Sequence, residues 1–308
     1  MKQKRITIAV TVFAMVLLIL YSRHVLQFAS EGIDLCIRTV IPSLFPFFLL
    51  SIYLAGNLHS GSGLGTVWIP GFLGGYPTGA QAAAELRRSG RATPGESSQM
   101  LYYCSQAGPA FLFGMVGPQF DDIACVWKLW AVQLLSAVSV YRVIPQRKMT
   151  SPQPHVKHRI TLTAAMQRSL RSMAAVCGWI VIFRVILGFL SAFFPGGIGN
   201  VLLSGLLELS NGCLMLRIIP DPDIRFLLAA VMLNFGGICV MIQTASVTEG
   251  LDFRCYVRGK LLQTAVCIPM SLLLLGHAWA LIPVCLIILL PSMRKRAKRG
   301  SNPAPVGV

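Results

Sequence analysis

The sequence predicts an all-α polytopic membrane protein with about eight transmembrane helices and two broken re-entrant segments, arranged as an inverted pseudo-repeat. The chain of 308 residues is 55% hydrophobic and 12% charged, about half the charged share of a soluble domain. Its mean hydropathy is +0.66. The basic residues lie in short runs between apolar segments, as in the cytoplasmic loops of membrane proteins.

The formal net charge of +16 does not indicate binding to nucleic acid. The basic side chains form no patch interleaved with aromatic residues, and their positions are typical of topology signals. None of the nine cysteines has C-x-x-C spacing, so neither a zinc site nor a thioredoxin-like motif is expected. His155 and His158 lie in a basic linker, where we expect a solvated loop. No cofactor is predicted.

The apolar segments predict eight crossings, with both termini in the cytoplasm. These crossings are residues 6–21, 35–56, 98–118, 123–141, 172–194, 224–245 and, as two short spans, 261–290. Residues 22–34 are polar and are expected to connect the first two spans. Pro42 and Pro46 predict kinks in the second span. The sequence TPGE at Thr93–Glu96 predicts a helix start with a capping box.

Positive charge places three connections and the tail inside the cell. The first follows residue 84, and the second is the basic stretch 142–171. The third is marked by Arg254, Arg258 and Lys260, and the tail carries the sequence RKRAKR. The connection around residues 217–225 balances two Asp against two Arg and is expected outside.

Residues 67–84 form the first broken segment, which is apolar but interrupted by clustered glycines and a proline. Gly and Pro cost a helix interior about 1 and 3 kcal/mol relative to Ala. Non-helical backbone at membrane depth survives where it is buried in protein or lines a watery cavity. Such a segment is typical of a transporter binding site. The alternative is a glycine-rich face on which two ordinary helices pack closely.

The two halves of the chain show the same order of elements. A span followed by GFLGGYPTGA and CSQAGPAFLFG in the first half matches a span followed by GLLELSNGCL and LNFGGICVMIQ in the second. The second broken segment is residues 201–216. Charge counting predicts opposite directions for the two opening spans, so the repeats are expected to be inverted, as in many secondary transporters.

These boxes resemble a known family. LFPFF, G-x-x-GGYPTGA, the following L-R-x-x-G, C-x-x-AGP-x-F, GLLELSNG, and NFGGICVMIQ with Y-x-x-x-K occur in one order. Over residues 28–265 the chain resembles the YlbJ-type sporulation integral membrane proteins, within the wider group that carries a nucleoside recognition or Gate domain. One departure is Gln106-Ala107, where the family has two amides before Gly-Pro.

The resemblance implies an endospore-forming bacterium, a role in spore maturation, and movement of dipicolinate across the mother-cell-derived membrane around the forespore. The expected location is the bacterial cell membrane or the outer forespore membrane. The predicted divisions are an N-terminal anchor helix (1–27), a first Gate-like repeat (28–145), a basic cytoplasmic linker (146–171), a second Gate-like repeat (172–265) and C-terminal segments with a basic tail (266–308).

Two ionisable residues lie within predicted membrane segments, where a charge is costly and usually marks function or pairing. Arg184 lies near the centre of a span, and Glu208 lies in the second broken segment. They could neutralise each other. Alternatively, Arg184 could bind a carboxylate of a dianion such as dipicolinate, and Glu208 could carry a coupling proton. A nucleoside would instead favour neutral amides.

The substrate site is expected where residues 71–80 and 205–213 meet near the bilayer midplane, with amides from the following helices completing a polar cavity. The candidate substrate-binding residues are Gly75, Tyr76, Pro77, Thr78, Gln106, Gly108, Arg184, Glu208, Asn211, Asn234 and Gln243.

The leading functional hypothesis is a secondary transporter of a small organic anion. A nucleoside or related small-molecule transporter and a non-transporting assembly factor of the sporulation membrane are the alternatives. An enzyme is not predicted, because H-E-x-x-H, G-x-S-x-G and phosphate-loop motifs do not occur. Without a nucleotide-binding motif, the expected energy source is an ion or substrate gradient. The predicted partners are a small-molecule substrate and membrane lipid.

Overall fold

The computed structural model describes residues 2–57, 63–88, 90–145, 160–190 and 196–283. The first half contains α1 (Lys2–Leu20), α2 (Ser22–Leu35), α3 (Ile41–Asn57), α4 (Gly63–Leu73), α5 (Thr78–Arg88), α6 (Pro94–Met100), α7 (Pro109–Phe111) and α8 (Ile123–Val143). The second half contains α9 (Leu162–Leu190), α10 (Gly197–Leu207), α11 (Leu209–Leu214), α12 (Pro222–Phe235), α13 (Gly237–Val247) and α14 (Phe253–Leu274).

Five helical stretches are long and apolar enough to cross a membrane. They are Ser22–Leu54, Ile123–Val143, Leu162–Leu190, Pro222–Val247 and Phe253–Leu274. The prediction of a helical, multi-pass membrane protein is therefore confirmed for the described residues. The total of eight crossings and the inverted repeat stay predictions.

Residues 22–34 are helical, so the predicted polar connection is wrong. α2 continues through a π-helical turn at Cys36–Val40 into α3. The polar side chains follow helical spacing, and the Gln27 amide donates a hydrogen bond to Glu31 four residues later (3.2 Å). Polar pairs at this spacing stabilise helices, which the low hydropathy of the stretch concealed.

The prolines of this long helix are accommodated differently from the predicted kinks. α3 remains helical through Pro46. The irregular turn is the π-helical one at Cys36–Val40, which ends two residues before Pro42. Because Pro42 has no N–H to donate to the carbonyl of Arg38, the regular hydrogen-bond ladder is interrupted at this place.

The first broken segment forms a hairpin of α4 and α5 around an irregular stretch at residues 74–77. Two glycines, Gly71 and Gly79, lie side by side against the backbone carbonyl of Cys104. A Cβ atom on Gly79 would lie 2.7 Å from the Cys104 carbonyl carbon and 2.8 Å from the Gly71 Cα atom. These two glycines therefore serve close packing, as the alternative interpretation of the segment predicted.

Residues 98–118 do not form the predicted uninterrupted crossing. α6 ends at Met100, an irregular stretch covers residues 101–108, and α7 leads into a π-helical turn at Leu112–Val116. The helix start at Thr93 is confirmed, since Thr93 and Glu96 form a reciprocal capping box. The first half therefore contains two broken elements in succession.

The second half also contains two broken elements. α10 and α11 pack against each other around a break at Glu208, and Gly212 lies against the backbone of Gly205. α12 and α13 are separated at Gly236, whose φ of +86° suits glycine. The predicted interruptions at ELSNG and NFGG are therefore confirmed. α9 begins at Leu162, ahead of the predicted start at residue 172.

Lys260 does not lie in a cytoplasmic loop as predicted. It is the eighth residue of α14, and 1% of its surface is exposed. The apolar sequence that follows it continues the same helix, and Arg254 and Arg258 remain near the helix start. The predicted turn near Gly276 is confirmed. The histidines of the linker, the second C-terminal span beyond residue 283 and the basic tail lie outside the described residues.

Contacts between connections define two ends of the bundle. At one end, Arg87 donates to the Glu249 carbonyl (3.0 Å), which joins the stretch after α5 to that between α13 and α14. At the other, Arg217 pairs with Asp121 (3.2 Å), which joins the connections before α8 and α12. Two of the predicted inside connections, the one after residue 84 and the one before α14, thus share one end, and the predicted outside connection lies at the other. Which end faces the cytoplasm stays a prediction.

We expect a cysteine placed at Arg88 to be protected from an impermeant thiol reagent added outside, and one at Asp121 to be labelled. Both side chains are exposed and lie at opposite ends of the bundle. Labelling would be measured in cells on a background without the nine native cysteines. External labelling at position 88 with protection at position 121 would reverse the predicted topology.

We expect Gly79→Ala to destabilise the protein by about 1–3 kcal/mol, because its methyl group would overlap backbone atoms that cannot rotate away. Gly178→Ala is the matched control: Gly178 lies within α9, and a Cβ atom there meets no atom within 4 Å. That change should be neutral or stabilising by up to about 1 kcal/mol. Thermal unfolding of the purified variants in detergent would measure both. Equal stability of the two variants would contradict the close contact.

Candidate functional site

A small cavity lies where the broken elements of the two halves meet. Its polar and backbone lining comes from Gly75, Tyr76 and Gly108 in the first half, and from Glu208, Ser210 and Gln243 in the second. The remaining lining consists of Val40, Leu44, Ala107, Phe111, Val176, Ile180, Leu209 and Val240. Each half therefore contributes a helix break to one small cavity.

The first break is shaped by Gly75 and Thr78. Gly75 has a φ of +79°, and a Cβ atom there would lie 2.8 Å from the backbone nitrogen of Gly108. The Thr78 hydroxyl lies within hydrogen-bond distance of the carbonyls of Pro70 (2.7 Å) and Gly75 (2.8 Å). Pro77 is buried between them and is absent from the cavity lining. Thr78 and Pro77 thus stabilise the bend that presents Gly75.

Tyr76 connects the first break to the second half. Its hydroxyl donates to the backbone carbonyl of Leu233 (2.9 Å), near the end of α12. The same hydroxyl accepts a hydrogen bond from the Lys260 ammonium (2.8 Å). The carbonyls in the last turn of a helix have no partner within it. The Tyr76 hydroxyl therefore supplies the donor that the Leu233 carbonyl lacks because of the break at Gly236.

A chain of buried amides continues from Lys260. The ammonium donates to Gln263 (2.9 Å), whose amide donates to the Gln106 side-chain oxygen (2.9 Å). Gln133, in the middle of α8, donates to Gln106 and to the Ala107 carbonyl (both 3.3 Å). These contacts satisfy backbone and side-chain groups at the irregular stretch 101–108. Gln106 therefore lies beside the cavity and is not part of its lining.

Glu208 forms the second break. The side chain is 2% exposed and accepts hydrogen bonds from the backbone N–H groups of Ser210 (3.0 Å) and Asn211 (2.7 Å), which caps α11. Among the described residues Glu208 forms no ion pair. The carboxylate therefore faces the cavity with two backbone donors and no cation in direct contact, while the charge of Arg184 acts on it at longer range.

Arg184 is paired with a residue that the sequence analysis assigned to a loop. Its guanidinium contacts the Glu31 carboxylate of α2 (2.7 and 3.1 Å) and donates to the Asn211 side-chain oxygen (2.7 Å). Arg184 therefore forms no direct ion pair with Glu208, although its charge acts on the Glu208 carboxylate at longer range. That the two charges neutralise each other stays a prediction. Both side chains of the Arg184–Glu31 pair are more than a third exposed on the protein surface, and Arg184 does not line the cavity.

Asn234 and Gln243 have different positions. The Asn234 amide donates to the Ala230 carbonyl of its own helix (2.8 Å), and its side-chain oxygen is buried without a partner. It lies outside the cavity lining. Gln243 lines the cavity, and its amide contacts the Cys239 sulfur (3.2 Å).

The structure therefore brings together five of the predicted site residues: Gly75, Tyr76, Gly108, Glu208 and Gln243. The other six predicted residues do not line the cavity: Pro77, Thr78, Gln106, Arg184, Asn211 and Asn234. Sequence reasoning missed Lys260, Gln263 and Gln133. Helical periodicity was one available signal, because the spacing i, i+4, i+7 puts Tyr256, Lys260 and Gln263 on one helix face. The other was the polar Gln133 within an apolar span.

The cavity is small. Its volume is about 40 Å³, enough for water molecules, which need about 10–15 Å³ each on this measure. Pockets that bind organic ligands usually occupy about 300–1,000 Å³. The described arrangement is therefore closed to a ligand of that size.

One known protein is similar over most of the chain. It is the sporulation integral membrane protein YlbJ of Bacillus subtilis (strain 168), which is 24% identical, with 73% of this chain and 71% of the relative covered. No family model and no solved structure matches the chain. The similarity to YlbJ confirms the family resemblance that the sequence motifs indicated.

We expect Arg184→Gln to lower stability by about 1–3 kcal/mol, because it leaves the Glu31 carboxylate without its cation on a membrane-spanning helix. The double variant Glu31→Gln with Arg184→Gln should recover most of that loss. Arg38→Gln is the matched control, since the Arg38–Asp34 pair is more exposed and should contribute less than about 1 kcal/mol. Thermal unfolding in detergent would compare them. A double variant as unstable as the Arg184 variant would contradict the pairing argument.

Proposed function

We propose that this YlbJ-type integral membrane protein is a secondary transporter of a small organic anion. Dipicolinate is the first substrate to test, because the family resemblance implies it. The bacterial cell membrane or the outer forespore membrane is the proposed location.

The observation that carries the proposal is the cavity shared by the two helix breaks. Gly75 and Tyr76 reach it from one hairpin, and Glu208 and Ser210 reach it from the other. Breaks in membrane helices expose backbone donors and acceptors that cost several kcal/mol each if unsatisfied. Interrupted helices that face each other near the middle of the protein are a recurring arrangement in secondary transporters.

Transport requires that the cavity enlarge. At about 40 Å³ it is too small for an aromatic dicarboxylate, so the hairpins α4–α5 and α10–α11 must separate during the cycle. Two π-helical turns lie beside the cavity, at Cys36–Val40 and Leu112–Val116. Such turns are frequent at functional sites. Here they are the places where the surrounding helices could bend during opening.

Glu208 is the proposed carrier of a coupling proton. It is a buried carboxylate that lines the cavity and has no cation in direct contact among the described residues. Taking up a proton on one side of the membrane and releasing it on the other would link substrate movement to a proton gradient. The predicted inverted repeat would allow the two hairpins to open alternately.

A second candidate function is supported by a specific observation. The small volume of the cavity and the dense hydrogen bonding around it also fit a non-transporting assembly factor, in which the breaks serve only helix packing. The neutral side chains Ser210 and Gln243 in the lining would also suit a nucleoside. These three candidates differ in what crosses a membrane that contains the purified protein.

We expect proteoliposomes containing the protein to show saturable dipicolinate uptake under an imposed proton or substrate gradient, and excess uridine to leave it unchanged. Gln243→Leu should reduce the uptake by about 3- to 10-fold, since one neutral hydrogen bond contributes about 0.5–1.5 kcal/mol. Radiolabelled dipicolinate retained after rapid filtration would measure both.

Gln27→Leu is the control for this substitution, because Gln27 is exposed on α2, away from the cavity. It should transport like the unchanged protein. Absence of saturable flux under every gradient would favour the assembly factor, and inhibition by uridine would favour the nucleoside carrier. Equal flux in the two glutamine variants would place the site elsewhere.

A further inference from the structure

Lys260 is a buried amine whose contacts are all neutral. The residue lies two turns into α14, about 10 Å from the start of the helix, and is 1% exposed. Its ammonium donates to the Tyr76 hydroxyl (2.8 Å), the Ser105 backbone carbonyl (2.5 Å) and the Gln263 side-chain oxygen (2.9 Å). It also lies 4.7 Å from the centre of the Tyr76 ring.

No carboxylate balances this charge within the described part of the chain. The ion pairs formed there all involve arginine. The titratable groups around Lys260 are the Tyr76 and Tyr256 hydroxyls and the Cys104 and Cys267 thiols, which are neutral when protonated. A buried charge without a counter-charge is costly, whereas charges buried for structural reasons are usually paired.

Tyr76 separates the ammonium from the cavity. The tyrosine lines the cavity, while its hydroxyl contacts Lys260. Ala107 and Gly108, which also line the cavity, follow Ser105, the second contact of the ammonium, in the same irregular stretch. Displacement of the Tyr76 side chain would therefore remove a barrier between the ammonium and the cavity.

The structural role of Lys260 does not need a charge. The ammonium satisfies the Ser105 carbonyl, which lies in the irregular stretch between α6 and α7. A neutral amide donor could make a hydrogen bond of the same kind. What a lysine adds is a group that can carry a positive charge, in a place where the described residues supply no negative one.

We propose that Lys260 is the cationic group that binds a carboxylate of the transported anion, once the Tyr76 side chain moves aside. This inference rests on the proposed function and assigns its substrate class, because the positive charge selects organic carboxylates over uncharged compounds of similar shape. Arg184 cannot serve this purpose in the described arrangement, since Glu31 and Asn211 occupy its guanidinium.

The test compares two probes of nearly equal shape: dipicolinate and its uncharged diamide, pyridine-2,6-dicarboxamide. Lys260→Gln should weaken dipicolinate binding about 10- to 100-fold, as expected for loss of a hydrogen bond between charged groups, and should leave diamide binding unchanged. Lys128→Gln, at an exposed lysine of α8, is the control and should bind dipicolinate normally. Binding would be measured by isothermal titration of the purified full chain, and flux in proteoliposomes.

A second variant keeps the inference testable if Lys260→Gln does not fold. Gln263→Glu is nearly isosteric and places a carboxylate beside the ammonium, 2.9 Å from it in the present contact. This fixed counter-charge should also weaken dipicolinate binding and spare the diamide. The change removes the hydrogen bond that the Gln263 amide donates to Gln106, and the new ion pair with the buried lysine is expected to offset that loss.

The outcomes separate the inference from the proposed function. If the unchanged protein neither binds nor transports dipicolinate, the proposed function fails and the inference fails with it. If the unchanged protein transports dipicolinate and both folded variants bind it as tightly, Lys260 is a structural donor only. Parallel loss of dipicolinate and diamide binding would likewise overturn the assignment, because it would reflect a damaged cavity.

Discussion

The rest of the structure depends on one constraint: backbone freed by breaking a helix inside a membrane must find hydrogen-bond partners within the protein. Each break is met by a side chain from elsewhere in the chain or by a cap of its own. Tyr76 donates to the carbonyl of Leu233 beside the break at Gly236, and Lys260 donates to that of Ser105. Glu208 caps the helix that follows its own break. These contacts hold α5, α12 and α14 around one centre.

Glycine makes that centre compact. Gly79 lies against the Cys104 carbonyl, and Gly75 approaches Gly108 at a backbone angle that other residues rarely adopt. The two interpretations of the glycine-rich segment are therefore both supported, at different positions: Gly79 packs helices together, while Gly75 shapes the cavity. The close fit also explains why the cavity is small. Any ligand larger than water therefore requires the hairpins to move.

Charge is distributed in two ways. Arg184 and Glu31 pair near the surface between α9 and α2, where the pair joins two long helices. Lys260 and Glu208 lie buried near the cavity, and each is held by neutral donors or acceptors. Paired charges satisfy a structural need, whereas unpaired buried charges of opposite sign suit a site that binds an anion and exchanges a proton. This separation supports the proposed transport function.

The sequence by itself determined the membrane class, the positions of both interrupted hairpins, the capping box at Thr93 and five residues of the cavity, because hydropathy, glycine, proline and cap signals are local. It could not place residues 22–34 or Lys260, because a polar residue near an apolar run gives the same sequence pattern in a loop and on a buried helix face. Tertiary structure decided these, because Glu31 and Lys260 also have partners that lie more than 150 residues away in the chain. Only the packing of distant helices determines whether a charge meets solvent, another charge or a cavity.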